Sequence, residues 1–177
     1  KLLIKGIHNA YNSMASVISA RILGIEKKVI QKTLENFKGV EHRLEFVREL
    51  DGVKYYNDSK ATNVNSVWYA LQGFNEPIIL ILGGRDKGND YSDIENEVKK
   101  YVKHIVAIGE SRQKVYDFFK KIVPVTLAED MEDAVNKAEL AASKNEIVLL
   151  SPACASFDMF ENYEHRGAEF KKIVNGL

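Results

Sequence analysis

Cysteine, proline and long apolar runs are scarce in this chain of 177 residues. Its only cysteine, Cys154, excludes an internal disulfide and is typical of proteins in a reducing compartment. No apolar run approaches the roughly 20 residues that a membrane-spanning helix needs. The opening KLLIKGIHNA is also too short and too polar for the apolar part of a signal peptide. We therefore expect a cytoplasmic protein that makes no contact with a membrane.

An excess of one charge is missing as well. Lysine and arginine together number 25, as do aspartate and glutamate, so the formal net charge is zero. The composition accordingly gives no sign of the basic surface that is typical of proteins binding nucleic acid. Its four histidines are widely spaced and give no metal-ligand pattern, so we predict no metal site in this chain.

The first 38 residues favour two helices. Apolar residues that recur every three or four positions form one face of the first helix: Tyr11, Met14, Ala15, Ile18, Ile22 and Ile25. Gly24 is the predicted stop, and a shorter apolar stripe that ends at Phe37 indicates the second helix. Because the chain starts with Lys1 rather than methionine, we interpret it as part of a longer protein.

From about residue 44, short apolar strands alternate with helices. Residues 43–50 and 53–57, joined by Asp51 and Gly52, favour a β-hairpin. Four later runs contain β-branched residues and leucine without polar alternation: PIILILGG, HIVAIGE, VPVTLAE and EIVLLSP. Such runs indicate strands buried on both faces of a parallel sheet. Over residues 39–177 the sequence thus predicts an α/β, Rossmann-like, doubly wound sheet, mostly parallel with one antiparallel edge strand, preceded by a short helical segment.

Several of the helices between these strands have recognisable starts. Ser92 and Glu95 form a capping-box pattern. Ser111 and Asp130 stand directly before the next two apolar stripes. A last helix is predicted over about residues 158–174.

Ligands of open α/β sheets bind at the carboxyl ends of the strands. Polar or glycine-rich segments follow four of the predicted strands: NDSKATN, GGRDKGND, GES and SPACASFD. Because the carboxyl ends of parallel strands share one edge of the sheet, we expect these segments to meet there.

The segment NDSKATN, residues 57–63, leads into an amphipathic helix. Because a helix N-terminus favours an anion, Lys60 and Thr62 can hold a carboxylate or a phosphate there. Asp58 can accept hydrogen bonds from ribose hydroxyls. The pattern is equally explained if Thr62 or Asn63 only caps the helix and Asp58 and Lys60 form a surface pair.

Two further segments offer binding groups. GGRDKGND lacks the spacing of a P-loop, yet Arg85 and Lys87 bring positive charge to the end of their strand; the alternative is a glycine-rich turn with solvated charges. In SPACASFD, Ser156 and Phe157 precede the last helix, where Ser156 can equally be a cap. Cys154 is best explained as a small buried thiol.

Amide and basic groups stand nearer the N-terminus. Asn9 and Asn12 lie three positions apart on one face of the first helix, where two amides can bind a flat heterocycle. The alternative is that Asn9 caps the helix and Asn12 is solvated. His42 can stack on a ring, and the guanidinium of Arg43 suits a phosphate.

Five segments together resemble the Mur ligase family: GIHNAYNSMAS (6–16), GVEHRLE (39–45), NDSKATN (57–63), LGGRDKG (82–88) and LSPACASFDMFENYEHRG (150–167). They are spread over nearly the whole chain, in the order and approximate spacing of the family. NDSKATN and SPACASFD resemble the members of the family that add D-glutamate.

The resemblance implies an ATP-dependent ligase of peptidoglycan precursor synthesis with three domains. It would add D-glutamate to UDP-N-acetylmuramoyl-L-alanine through an acyl phosphate, assisted by Mg²⁺ whose ligands lie mostly in the central domain. Residues 1–38 would be the helical tail of the central ATP-binding domain, and residues 39–177 the C-terminal domain that binds the amino acid. The N-terminal and central domains would be further parts of the same polypeptide, and we expect this chain alone to lack ligase and ATPase activity.

The resemblance also assigns roles to single residues. Those expected to bind ATP are Asn9, Asn12, His42, Arg43 and Asp58. Those expected to hold D-glutamate are Thr62, Lys87, Ser156, Phe157 and Tyr163, with Phe157 acting through its backbone. The expected catalytic residues are Lys60 and Lys87. Arg85 departs from the family pattern and receives no role.

Two other functions remain open from the residues alone. One is a related ligase for another amino acid, including the ligases that add glutamates to folate. The other is a non-enzymatic nucleotide-binding module, which predicts tight nucleotide binding by this chain in isolation.

Overall fold

The computed structural model describes residue 4, residues 7–37 and residues 39–177. Gly6 of the segment GIHNAYNSMAS and Lys38 at the predicted domain boundary lie outside the described residues. Within the described ranges, no helix is both long and apolar enough to cross a bilayer.

Two helices precede the sheet, as predicted: α1, Ile7–Ile22, and α2, Lys27–Asn36. They are separated at Gly24, whose φ of +77° is one that residues with a side chain rarely adopt. The apolar stripe predicted on α1 is largely exposed, together with apolar residues of the turn and of α2: Tyr11, Met14, Ile18, Ile22, Leu23, Ile25, Val29 and Phe37. The described part of the chain therefore leaves the hydrophobic face of this helix pair largely uncovered.

In the described part of the chain, six strands form one sheet: β1, Glu45–Leu50; β2, Val53–Asn57; β3, Ile78–Gly83; β4, Val102–Ile108; β5, Val125–Leu127; and β6, Ile147–Leu150. Their order is β1-β2-β6-β3-β4-β5, and every neighbouring pair is parallel except the β1–β2 hairpin. All residues of β3 and β6 are buried, as the unbroken apolar runs predict. The predicted fold class is confirmed.

Helices cover both faces of this sheet. On one face lie α3, Val64–Leu71; a 3₁₀ turn, Tyr91–Ile94; α4, Glu95–Tyr101; and α5, Arg112–Phe119. On the other face lie α6, Met131–Ala141, and α7, Tyr163–Gly176. Successive residues of β3 belong alternately to the two hydrophobic clusters, because side chains of a strand alternate between its faces.

The connections diverge around β6. The segment after β2 leads to α3 on one face, whereas the segment after the neighbouring β6 leads to α7 on the opposite face. Connections that leave a sheet in opposite directions open a crevice at the carboxyl ends of the strands, where α/β proteins bind ligands. This topology places residues 57–63, 84–90 and 151–158 around one crevice.

Two details of the predicted helix starts are wrong. The capping box at residues 92–95 is not formed, because the Asp90 carboxylate accepts a hydrogen bond from the Ser92 amide and caps the 3₁₀ turn instead. The last helix begins at Tyr163, later than predicted, because the side chain of Asn162 caps it there.

The other two starts lie where they are predicted. Asp130 caps α6 by accepting a hydrogen bond of 2.8 Å from the Asp133 amide. Ser111 precedes α5, but its hydroxyl accepts a hydrogen bond of 3.2 Å from the Gly84 amide. Ser111 therefore joins the ends of β3 and β4 rather than capping its own helix.

We predict that Gly84→Ala lowers the free energy of unfolding by about 3 kcal/mol or more. Gly84 has a φ of +140°, and an added methyl carbon would lie 2.5 Å from the carbonyl oxygen of Ala155. Because that oxygen belongs to the backbone after β6, the clash can be relieved only by displacing the chain.

The matched control is Gly176→Ala, because a methyl carbon there meets nothing within 4 Å. Urea unfolding followed by circular dichroism measures the stability of both variants. Equal unfolding midpoints for the two would contradict the prediction.

Candidate functional site

The segments that follow β2, β6 and β3 meet at one edge of the sheet, as predicted. The Arg85 amide donates a hydrogen bond of 2.9 Å to the Ala155 carbonyl oxygen, and the Asn89 side-chain amide donates one of 3.1 Å to that of Ala153. These bonds join the segment after β3 to the segment after β6. Because β2, β6 and β3 are adjacent, Thr62, Lys87 and Ser156 lie on the same edge.

One buried side chain, Arg166 of α7, fastens two of these segments together. Its exposed fraction is only 2%. Its Nε donates to the hydroxyl of Ser59 and its Nη2 to the Ser59 carbonyl, at 2.9 and 2.8 Å. Its Nη1 donates to the carbonyls of Cys154 and Ala155, at 3.1 and 3.2 Å. Arg166 therefore fixes the position of NDSKATN relative to SPACASFD.

Sequence analysis missed Arg166, although its spacing carries a signal. Arg166, Phe170 and Val174 recur every four residues and form the buried stripe of α7. A charged residue on such a stripe indicates a buried polar network. Burial lowers the pKa of Arg166 to about 10, so its guanidinium stays charged at neutral pH, and its four hydrogen bonds go to uncharged oxygen atoms.

Asp58 is a buried carboxyl group at the end of β2. It accepts a hydrogen bond of 2.8 Å from the Ser151 hydroxyl and one of 3.2 Å from the Leu44 amide. Burial raises the pKa of Asp58 to about 7, against the weaker opposing effects of these two bonds and of the nearby Arg43. The carboxyl group is therefore balanced between its two protonation states near neutral pH.

A cavity of about 270 Å³ opens beside Asp58. Asn12 and Arg43 form one side, Asp58 and Lys60 lie at the end of β2, and α3 forms the remaining wall. An adjoining cavity of about 460 Å³ shares Asn12, Arg43 and Lys60 and also contains Asn9. Four of the five residues predicted to bind ATP thus line this pair of cavities.

The fifth of those residues, His42, is buried away from both cavities. Its Nδ1 lies 2.9 Å from the side-chain amide nitrogen of Asn57, and its ring meets that of Tyr163 edge-on with the centroids 6.1 Å apart. A methyl carbon at Gly167 would lie 2.2 Å from the His42 Nδ1, which shows how closely α7 packs on this ring. His42 thus holds the chain next to Arg43 and lines neither cavity.

Lys60 connects the cavities to the first residue of α7. Its Nζ donates a hydrogen bond of 2.7 Å to the Tyr163 hydroxyl and lies 4.2 Å from the centre of that ring. The Ser59 hydroxyl also donates to the Tyr163 carbonyl, at 2.8 Å. The interpretation of Asp58 and Lys60 as a surface pair is therefore wrong, since each bonds to other partners.

The contacts also show whether Thr62, Asn9 and Ser156 cap the helices that they precede or begin. The Asn63 side chain caps α3 by accepting a hydrogen bond of 2.8 Å from the Ser66 amide, so Thr62 is not the cap. Asn9 lies within α1 rather than at its cap. Ser156 does not cap the last helix, which Asn162 caps.

Two of the residues predicted to hold an amino acid have polar groups without a partner among the described residues. The hydroxyl of Ser156 makes no hydrogen bond there, although the residue is only 2% exposed. The ammonium group of the exposed Lys87 makes no ion pair there. The neighbouring Asp86 carboxylate is bound by Lys114 at 2.8 Å and does not neutralise Lys87. Ser156 therefore contributes a buried hydroxyl to this edge, and Lys87 contributes an exposed cation.

Three further residues at this edge, Thr62, Arg85 and Phe157, line neither of the two cavities. Phe157 is exposed, Thr62 is partly buried, and neither side chain lines the two cavities. Arg85 forms an exposed ion pair of 3.4 Å with Glu110, beyond the end of β4. Arg85 is therefore turned away from β2.

One cluster within the described residues has the donor atoms of a metal site: Glu41, His42 and Glu45, with atoms within 4.8 Å of one another. The ammonium group of Lys171 bonds to both carboxylates, and the Asn57 side chain donates to Glu45 at 3.0 Å. The positive charge that these carboxylates need is thus already supplied by a lysine.

Comparison with known proteins links this chain to one group of ligases. Residues 42–154 match the protein family described as Mur ligase, glutamate ligase domain. The UDP-N-acetylmuramoylalanine-D-glutamate ligase of Salinibacter ruber is 53% identical over 178 residues, which cover 100% of this chain and 39% of that protein. The ligase of the same name from Bacteroides fragilis is 51% identical over 179 residues, which cover 100% of this chain and 40% of that protein. The chain thus spans about two fifths of the length of these relatives.

Solved structures of lower identity share the fold. UDP-N-acetylmuramate-alanine ligase MurC from Thermotoga maritima matches with a TM-score of 0.74 at 18% identity, over 99% of this chain and 39% of that one. Folylpolyglutamate synthase from Mycobacterium tuberculosis, solved as a complex with ADP, matches with a TM-score of 0.74 at 15% identity, over 97% of this chain and 41% of that one. At these identities the likeness concerns the fold alone.

We predict that Asp58 makes the chain less stable as pH rises from 5 to 8. The pKa of about 7 in the folded state lies above the ordinary value of 3.8, so between these values the folded state binds a proton that the unfolded state has lost. The resulting stability is lost as pH rises through about 7.

The variant Asp58→Asn isolates this effect, because it keeps the side-chain shape and removes the titration. The difference in unfolding free energy between variant and unaltered chain should shift by about 2 kcal/mol in favour of the variant between pH 5 and pH 8. Denaturant unfolding at both pH values measures it. A difference that does not vary with pH would contradict the prediction.

Proposed function

Because the chain belongs to the Mur ligase family, we propose that it is the C-terminal part of an ATP-dependent ligase that adds D-glutamate to UDP-N-acetylmuramoyl-L-alanine. Identity of 53% and 51% to two ligases of this name supports the choice of amino acid. One structural feature supports the proposed ligase function most directly. The segment with Asp58 and Lys60 and the segment with Ser156 meet at one edge of the sheet, where Arg166 holds them together.

The proposed division into domains follows from the uncovered helices. Residues 1–38 are the tail of a central ATP-binding domain, and residues 39–177 are the C-terminal domain. The exposed apolar face of α1 and α2 supports this division, because a face of that kind is normally buried against further protein. The N-terminal and central domains are then the partners of this chain within one polypeptide.

ATP is proposed to bind in the two adjoining cavities. Arg43 and Lys60 offer positive charge for phosphate, Asp58 can accept hydrogen bonds from ribose, and the amides of Asn9 and Asn12 lie where a base can reach them. His42 contributes by holding the segment that carries Arg43. Folylpolyglutamate synthase from Mycobacterium tuberculosis, which shares the fold, was solved with ADP, which is consistent with nucleotide binding by a protein of this fold.

The described residues do not fit a Mg²⁺ site beside the proposed phosphates. Mg²⁺ prefers several oxygen ligands, yet the only carboxylate that the described residues bring to the cavity lining is that of Asp58, which already accepts two hydrogen bonds and has a raised pKa. The cationic Arg43 and Lys60 further disfavour a metal ion there. If Mg²⁺ takes part, its ligands lie in the preceding domain.

D-glutamate is proposed to bind beside these cavities at the same edge of the sheet, between the ends of β3 and β6. Its two carboxylates need donors, and the ammonium of Lys87 and the hydroxyls of Ser156 and Thr62, which have no partner among the described residues, can supply them. Tyr163 contributes through its contact with Lys60, and Phe157 through its backbone, because its side chain is exposed. Binding both carboxylates leaves the amino group free to react.

In the proposed reaction, the L-alanine carboxylate first receives the terminal phosphoryl group of ATP. The amine of D-glutamate then attacks the acyl phosphate, and the tetrahedral intermediate loses phosphate to form the amide. Lys60, between the nucleotide cavities and α7, is placed to stabilise negative charge between the two substrates. Lys87 orients the incoming amino acid.

The test uses the full-length polypeptide that contains this chain. We expect phosphate release that requires ATP, UDP-N-acetylmuramoyl-L-alanine and D-glutamate, and none with L-alanine or L-lysine in place of D-glutamate. Lys87→Ala should raise the KM for D-glutamate about tenfold or more, because a charge-assisted bond is lost. The control is Lys121→Ala, a change at an exposed lysine outside the site. An unchanged KM in Lys87→Ala would remove Lys87 from the site, and equal use of another amino acid would refute the proposed substrate.

We also predict that the chain of 177 residues alone shows no ATP hydrolysis. Part of the proposed catalytic machinery lies outside the two fifths of the relatives that it spans. A coupled phosphate-release assay on the purified chain is the measurement. ATP turnover that persists through successive purification steps would contradict the proposal that catalysis needs the other domains.

A further inference from the structure

One wall of the 270 Å³ cavity is not explained by any of the residues assigned so far. It is formed by α3, through Asn65, Ser66, Tyr69 and Ala70. Asn65 and Tyr69 are four positions apart and therefore lie above one another on the same face of the helix. Among the described residues of the cavity lining, Tyr69 contributes the only aromatic ring.

The ring of Tyr69 is accessible although it lies in a helix that packs on the sheet. The opposite face of α3 is buried, through Val64, Val67 and Leu71. Tyr69 itself is 36% exposed. An aromatic ring at the border between cavity and solvent can take up a planar group without leaving its place in the fold.

Polar and aromatic groups are separated along the cavity. Asp58 and Lys60 belong to the segment that precedes α3, whereas Tyr69 lies on its second turn. At 1.5 Å of rise per residue, Tyr69 is about 7 Å further along the helix than its first residue, Val64. The lining is therefore charged at one end and aromatic at the other, as is a nucleotide with its phosphates and its base.

The ring of Tyr69 also contacts a second aromatic ring. It meets the ring of Trp68 edge-on, with the centroids 4.8 Å apart and the planes at 88°. Trp68 is partly buried and packs against the hydrophobic core. A ring held in this way loses little conformational freedom when a ligand stacks on it.

We propose that Tyr69 is the surface on which the base of the bound nucleotide stacks, and that it favours a purine through the larger ring face that a purine offers. This inference rests on the proposed function for the presence of the nucleotide and adds the residue that recognises its base. The amides of Asn12 and Asn65 lie in the same lining and can bond to the edge of the base.

Trp68 makes the inference measurable in this chain. It is the only tryptophan, and it touches the ring in question, so a base stacked on Tyr69 should change its fluorescence. The titration uses ADP, CDP and inorganic pyrophosphate up to millimolar concentration, with excitation at a wavelength that nucleotides do not absorb. Calorimetry gives the affinities independently.

Three variants separate stacking from other effects. Tyr69→Ala removes the ring at a helical position where alanine is well tolerated, and Tyr69→Phe keeps the ring. Tyr11→Ala is the matched control, because Tyr11 is a 64% exposed tyrosine of α1 that lines neither cavity. Circular dichroism verifies that each variant is folded.

We expect ADP, but not pyrophosphate, to change the emission of Trp68, and CDP to bind more weakly than ADP. Tyr69→Ala should weaken ADP binding about tenfold, in keeping with the usual effect of removing a stacking side chain. It should leave pyrophosphate binding unchanged, and Tyr69→Phe and Tyr11→Ala should bind ADP as the unaltered chain does.

Two results would overturn the inference while leaving the proposed function intact. One is ADP binding that Tyr69→Ala does not weaken. The other is an equal loss of ADP and pyrophosphate binding in that variant, which would indicate a change in cavity shape rather than lost stacking. Absence of ADP binding to the unaltered chain would overturn the inference together with the proposed nucleotide site.

Discussion

The geometry of the ligand edge depends on the buried guanidinium of Arg166. Removing such a charge from water costs several kcal/mol, and the four hydrogen bonds to Ser59, Cys154 and Ala155 offset that cost. Ser59 and Arg166 are 107 positions apart in sequence, so this contact joins two segments that are distant along the chain. A plain hydrophobic contact would not fix their relative position as narrowly, because it has no directional preference.

Since the acceptors of Arg166 are uncharged, its positive charge adds to that of Lys60, Arg43 and Lys87 along the same edge. A chain with zero net charge therefore presents a local surface suited to carboxylates and phosphates. The edge also carries carboxyl groups: Lys114 binds that of Asp86, and the raised pKa of the buried Asp58 is the energetic result of placing a carboxyl group away from water. The zero net charge led to the expectation that the chain does not bind nucleic acid, but it carried no information about the charge at this edge.

Much of the fold was predictable because its strands are local apolar runs that need no knowledge of their neighbours. The insertion of β6 between β2 and β3 was not, since strand order depends on pairing between residues far apart in sequence. The late start of α7 depends on Asn162, and the missed role of Arg166 depends on three carbonyls and a hydroxyl supplied by other segments. Likewise, Tyr69 is an ordinary residue of an amphipathic helix until the structure places it in a cavity wall.

Helix α1 contributes to the lining of the 270 Å³ cavity, although much of its apolar face is exposed. Asn12 belongs to α1, whereas Asp58 and Lys60 belong to the segment at the end of β2, and all three line the same cavity. A ligand can change the relative position of two parts of a protein only if its affinity for one arrangement of these parts differs from its affinity for the other. A nucleotide that touches Asn12 and Asp58 at once satisfies this condition, because its contacts depend on the distance between the helix and the sheet. Under the proposed function, nucleotide binding and the position of α1 relative to the sheet are therefore linked by the same few contacts.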